Sequence, residues 1–153
     1  MRMVVAVVGK PRNAALGTAI HEYETRAARY WPLEFHEVRE ERAAGISPDV
    51  VREREGKRLA ERVAGTRVVA CDAAGQPMTS EAFASWLMNE RQSERDIGFV
   101  IGGAFGLPDT LVSRSVSKLS LAPWTLAHEL ARLVLAEQLY RAGSIIRGEP
   151  YHK

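Results

Sequence analysis

The chain of 153 residues has one cysteine, Cys71, so it can form no internal disulfide; the thiol sits within an apolar run, as a buried core residue would. Histidine is scarce too, with four scattered along the chain, which leaves too few ligands for a structural metal site. His128-Glu129-Leu130-Ala131-Arg132 opens like a zinc-protease helix, but arginine stands where the second histidine is needed. Long hydrophobic runs are missing. The first apolar stretch, Met3 to Val8, stops at Gly9-Lys10-Pro11, too soon for a signal peptide or a membrane span. A cytoplasmic protein with no membrane and no metal partner is expected. No G-x-G-x-x-G fingerprint, Walker A loop or G-x-S-x-G elbow occurs, which weighs against a nicotinamide oxidoreductase, a nucleotide triphosphatase and a serine hydrolase.

Lysine is also rare. Of the 21 basic residues only Lys10, Lys57, Lys118 and Lys153 are lysines, and the rest are arginines, the side chain suited to planar, bidentate anions such as phosphate. A GC-rich genome would enrich arginine and alanine together, so this excess does not by itself select a nucleic-acid partner. The net charge is only +2. Its distribution is uneven: from Arg114 to the end, six basic residues face three acidic ones. Arg39 to Arg62, by contrast, interleaves both signs at helical spacing, as a solvated, salt-bridged face does.

What is present is an alternation of strand and helix signals over a length that suits one domain, residues 1–153. Met3 to Val8 is a valine-rich run of the kind buried on both faces of a sheet. Leu16, Ile20, Tyr23, Ala27 and Tyr30 mark an amphipathic helix from Asn13 to Tyr30, closed by Pro32. Leu33 to Val38 reads as a short strand. Ser47-Pro48-Asp49 opens a helix that runs to about Val63, with a hydroxyl cap, a proline that needs no N–H and a carboxylate at the positive end of the dipole. Thr66 to Cys71 is a strand followed by a Gly/Pro loop, Asp72 to Pro77, and by a helix capped at Thr79 or Ser80. A strand over Ile97 to Ile101, a helix from Pro108 to Lys118, a brief strand at Leu119 to Leu121 and a long helix from Ala127 to Ser144 complete the pattern. The fold class is α/β, with a mainly parallel sheet flanked by helices. The last helix is apolar around most of its circumference, which implies burial by the core and by a second subunit.

Parallel sheets bind ligands beyond the carboxyl ends of their strands. Three loops there carry unusual residues: Asp72 to Pro77, Gly102 to Gly106, and Ala122 to Thr125. The glycine cluster either lets backbone N–H groups approach a ligand or makes a tight strand-to-helix turn. The tail, ending Tyr151-His152-Lys153, holds a ring that can stack on a base, an imidazole that can exchange a proton and a cation for phosphate. Taken alone it would be read as a frayed polar end.

Together, Ile101-Gly102-Gly103-Ala104-Phe105-Gly106-Leu107, Thr125-Leu126-Ala127-His128 through Arg132 to Glu137, Leu139-Tyr140-Arg141-Ala142, and Tyr151-His152-Lys153 resemble the ribosomal RNA large subunit methyltransferase H family, a branch of the SPOUT methyltransferases. The resemblance spans essentially the whole chain. It implies a C-terminal trefoil knot, which the general rarity of knots would otherwise argue against, and a homodimer with active sites at the subunit interface. It also implies methyl transfer from S-adenosylmethionine to N3 of a pseudouridine in large-subunit (23S) rRNA. Cofactor contacts would fall on Cys71, Gly102, Leu121, Ala122, Pro123, Trp124, Thr125 and Leu126. Many family members have leucine at the position of Cys71, and Pro-Glu or another pair where Ala104-Phe105 stands, so no carboxylate role can be assigned at Phe105. His152 is the candidate base or proton relay, with positioning of RNA as its alternative. Arg141 and Tyr151 are assigned to substrate positioning, and Arg114, Arg147 and Lys153 to phosphate. The competing function is a ribosome-binding module that has kept the fold and lost methylation.

Overall fold

A computed structural model describes residues 1–152, with the backbone alone for His152. Five strands form one parallel sheet in the order β2-β1-β4-β3-β5, where β1 is Met3–Val8, β2 Leu33–Val38, β3 Arg67–Pro77, β4 Ile97–Ile101 and β5 Ser117–Ser120. Every residue of β1 and β4 is buried, because helices cover both faces and leave no solvated side to alternate with. Alternate residues divide the core in two. Met3, Val5, Val7 and Phe99 pack with Ala27, Trp31, Phe83, Leu87, Leu135 and Leu139, while Val4, Ala6, Val8 and Val100 pack with Leu59, Val63 and Leu111. One face therefore carries α1 (Ala14–Ala27), α3 (Ser80–Gln92) and α5 (His128–Ile146), and the other α2 (Pro48–Arg62) and α4 (Asp109–Arg114).

The helices begin where short polar side chains satisfy free N–H groups. Asn13 accepts from Leu16 N at 3.0 Å and Thr79 accepts from Ala82 N at 3.1 Å, while Ser47 caps α2 ahead of Pro48. On α5, Arg132 is buried and bridges Glu24 at 2.6 Å and Glu37 at 2.8 Å, so the residue that breaks the zinc-protease pattern ties α5 to α1 and β2. Trp31 Nε1 donates to Leu139 O at 2.9 Å and fixes the depth of α5 over the sheet.

Element boundaries depart from expectation: α1 ends at Ala27 and not Tyr30, β5 spans Ser117–Ser120 and not Leu119 to Leu121, and two further departures bear on the site. Asp72 to Pro77 is not a free loop: β3 continues through it, and both Cys71 and Gln76 pair with Leu119 across a bulge. The residues between are extra chain on one strand, and Asp72 Oδ1 accepts from Ala74 N at 2.8 Å within that excursion. The helix expected from Pro108 to Lys118 ends at Arg114, because Ser117 and Lys118 are needed by β5 to pair with Val69 and Ala70. The tail also departs from a frayed end. Pro150–His152 forms a 3-10 turn against α5. Lys153 and the side chain of His152 lie outside the described residues.

Candidate cofactor cavity and the C-terminal cluster

At the carboxyl ends of β3, β4 and β5 the chain encloses a cavity of about 470 Å³, well within the size of small-molecule sites. Its walls come from the neighbourhoods of the three segments selected on sequence: Cys71 and Asp72 at the bulge within β3, Ile101 at the end of β4 with Gly102 to Ala104 and Gly106 to Leu107 beyond it, and Leu121, Ala122, Trp124, Thr125 and Leu126 after β5. Seven of the eight expected cofactor contacts therefore line one space; Pro123 is exposed and does not line it. Ser120 Oγ donates to Ala122 O at 2.8 Å and bends the segment after β5 back over the cavity. Trp124 stands on the rim with 79% of its surface exposed. Burial pushes the Cys71 thiol up to about 12, with Asp72 adding to the effect, so Cys71 is a neutral wall residue and not a nucleophile.

Gly102 is required by the turn itself. A Cβ there would lie 2.5 Å from the Gly106 carbonyl carbon and 2.7 Å from its oxygen. The strand leaves β4 and folds back so tightly that Gly106 N donates to Gly103 O at 3.0 Å, with Gly106 at a φ of 81°. Of the two sequence readings of the glycine cluster, this geometry bears out the tight turn, whose backbone forms part of the cavity wall.

His128 also lines the cavity, at the first turn of α5. On sequence it has no site role, only a place in a failed zinc pattern and at the end of the Thr125-Leu126-Ala127-His128 motif, yet it directly follows the Thr125 to Ala127 wall. A second cavity, of about 360 Å³, lies across the turn, bounded by Arg12, Glu40, Glu41, Arg42, Val51, Glu55, Ala104 and Phe105. Glu55 was missed. It belongs to a helix whose charge pattern reads as solvated, but it is 2% exposed.

Arg141 and Tyr151 lie together, away from the cavity. The Arg141 guanidinium sits 4.8 Å from the Tyr151 ring centre, and Glu137 Oε1 accepts from Arg141 Nε at 2.9 Å and from the Tyr151 hydroxyl at 3.1 Å. The Tyr151 ring packs 4.5 Å from that of Tyr140, and its hydroxyl reaches that of Tyr23 at 3.4 Å. Burial, then the Tyr23 and Glu137 contacts, raise the Tyr151 phenol above its ordinary value. The Tyr30 hydroxyl donates to Glu149, and that carboxylate pushes the phenol up to about 12. Both phenols are therefore neutral donors at physiological pH. Thirteen residues of α5 separate Arg141 from His128, a span of roughly 20 Å at helical rise. Within the chain the tail cluster and the cavity are separate places. Arg147 lies over the Tyr30 ring at 4.7 Å, and Arg114 ends α4 on the opposite face of the sheet.

A family model described as "Predicted SPOUT methyltransferase" matches residues 1–152. The chain is 58% identical to the ribosomal RNA large subunit methyltransferase H of Gemmatimonas aurantiaca, with 100% of each chain covered, and 44% identical to that of Geobacter sp. strain M21, with 99% of each covered. Among solved structures it is similar in fold to a probable methylase family protein from Haemophilus influenzae, with a TM-score of 0.60 and 14% identity over 99% of this chain and 70% of that one. A probable methyltransferase from Bordetella pertussis gives 0.54 and 13% identity over 92% of this chain and 95% of the other.

Proposed function

We propose, from the premise that this chain belongs to the ribosomal RNA large subunit methyltransferase H family of the SPOUT methyltransferases, that it methylates N3 of a pseudouridine in 23S rRNA in the cytoplasm. The observation that carries the reading is the cavity at the carboxyl ends of β3, β4 and β5, which gathers Cys71, Gly102, Leu121, Ala122, Trp124, Thr125 and Leu126 from three separated loops. S-adenosylmethionine bound there supplies an electrophilic methyl group on a sulfonium. The fit rests on the chemistry of the walls: apolar side chains on several sides suit an adenine, and the bare Gly102 backbone permits close approach. Pro123 shapes the segment between Ala122 and Trp124.

The protein's own work is to align and to exclude water, since holding the reacting atoms in line is worth much of the barrier. Removal of the imide proton falls to His152, and Arg141 and Tyr151 position the substrate, with Arg114, Arg147 and Lys153 holding phosphate. Because Arg141 and Tyr151 stand far from the cavity of their own subunit, this reading takes a homodimer in which the tail of one copy serves the cavity of the other. The same reading makes residues 1–153 one SPOUT domain and includes the trefoil knot.

Two measurements test it. Calorimetric titration should show binding of S-adenosylmethionine and none of NADH. Incubation with a methyl-labelled cofactor should then transfer label to large-subunit rRNA from a strain lacking the modification. Cofactor binding without transfer would favour the ribosome-binding module; no cofactor binding would reject the reading.

A further inference from the structure

α2 was expected to be a solvated, salt-bridged face, yet it sends two consecutive residues inward against the turn that follows β4. A Cβ on Gly56 would meet the Pro108 ring at 2.3 Å, and a Cβ on Gly103 would lie 2.9 Å from Glu55 Oε1 and 3.0 Å from Val8 Cγ1. Residues 55 and 56 therefore hold the two ends of the segment from Gly103 to Pro108, whose other side is the cavity wall at Gly102 to Leu107. The Glu55 carboxyl is one-sided. Its Oε2 accepts from Glu41 N at 3.0 Å, whereas its Oε1, buried and facing Gly103, has no hydrogen-bond partner among the described residues.

We propose that Glu55 is a positioning residue for the cofactor site, acting from the far side of the Gly102 to Gly106 turn to set the shape of the cavity wall that S-adenosylmethionine meets. This rests on the cofactor reading given above. A neutral carboxylic acid fills the place under Gly103 with little electrostatic cost. A carboxylate there has one oxygen without a donor, and a buried, half-satisfied charge recruits water or pulls on nearby N–H groups. The unpartnered Oε1 faces Gly103, the residue at which the turn begins. The charge state of Glu55 and the position of the wall are thus one equilibrium.

The surroundings favour the neutral form. Burial raises the Glu55 pKa from its ordinary value; the Glu41 N–H opposes this, the Glu40 carboxylate adds to it, Arg58 opposes it and the Glu41 carboxylate adds to it. Arg12 and Arg42 also border the second cavity, but Arg12 is engaged by Glu40, and Arg54 and Arg58 by Glu41. Val8 of β1 and Gly103 of the turn bring no titratable side chain. A group whose pKa is raised by its packing stabilises that packing at low pH and loses the contribution as pH rises through the raised value.

The experiment is calorimetric affinity for S-adenosylmethionine, at pH values from the ordinary glutamate value of 4.5 up to about 9, on the wild type, Glu55→Gln and Glu55→Ala, with a melting curve for each sample. Expected is a wild type that binds progressively more weakly as Glu55 ionises. Glu55→Gln should match the wild type at the acidic end and lack that alkaline loss. Glu55→Ala should bind several-fold more weakly at every pH. Glu55→Gln is nearly isosteric and keeps the readout available if Glu55→Ala does not fold. Parallel pH profiles for the wild type and Glu55→Gln would overturn the proposal, as would unchanged affinity in a folded Glu55→Ala. A wild type that binds no cofactor at any pH would reject the cofactor reading and this proposal with it, an outcome distinct from parallel profiles.

Discussion

At the scale of single residues, the site depends on atoms that are absent as much as on those present. The wall of the cavity at Gly102 is backbone because the Gly106 carbonyl occupies the place where a side chain would begin. Gly102→Val should therefore break the turn before it ever obstructs a ligand, costing about 2–3 kcal/mol of stability as well as cofactor binding. A melting curve beside the calorimetry checks this; an undisturbed melting temperature with lost binding would mean that the side chain merely fills ligand space. His152 makes a separate demand on the chemistry. If it takes the imide proton, single-turnover methylation by His152→Ala at saturating ribosome should be slowed about 10²- to 10⁴-fold near neutrality and recover as the imide ionises unaided at higher pH. A defect that is independent of pH and appears as weaker, salt-sensitive ribosome binding would make it a positioning group instead.

At the scale of elements, the C-terminal segment is the one whose behaviour changes most between sequence and fold. A short polar end is ordinarily frayed, yet here Glu149 and Tyr151 pack on α1 and α5 through Tyr23, Tyr30, Glu137 and Tyr140. Deleting residues 151–153 should consequently lower stability by about 2 kcal/mol, from a half-buried ring and its hydrogen bonds, in addition to abolishing methylation. Tyr151→Phe separates the two effects. It keeps the ring against Tyr140 and should lose only about 1 kcal/mol by denaturant unfolding, the scale of one hydrogen bond. Stability equal to wild type after the deletion would show the turn to be marginal. α5 itself divides its apolar surface: Leu135 and Leu139 are fully buried by the subunit's own core, while Leu130 is 40% exposed and Leu133 and Val134 are partly so.

At the scale of the molecule, exposed apolar surface remains at Leu130 near the start of α5 and at Trp124 on the rim of the cavity. A second copy covering this patch would bury apolar surface and could bring its tail to that cavity. Light scattering at micromolar concentration should give twice the chain mass. Mixed dimers test the shared site directly: a Gly102→Val subunit and a subunit lacking residues 151–153, each inactive alone, should recover part of the wild-type activity when co-expressed, because one of the two composite sites in the heterodimer is intact. No recovery from a demonstrated heterodimer would place the tail's role within its own subunit.

Local chemistry determined most of the elements. Valine-rich runs, the Asn13, Ser47 and Thr79 caps and the 3.6-residue spacing of α1 act over a few neighbours, so β1, β2 and β4 and the starts of α1, α2 and α3 were legible from residue order alone. So was the place of the cavity, since a parallel sheet sends the segments after its strands to its carboxyl edge. Whatever depends on a distant partner was not. Whether Asp72 to Pro77 is loop or strand is decided by Leu119 and Ser120 of β5, which offer it a partner. Whether α4 runs past Arg114 is decided by the same competition. Glu55 carries the local signature of a solvated residue, and only the closeness of Gly103 and Pro108 to α2 turns it into a buried acid, because burial belongs to the packing of elements and not to the order of residues along one helix.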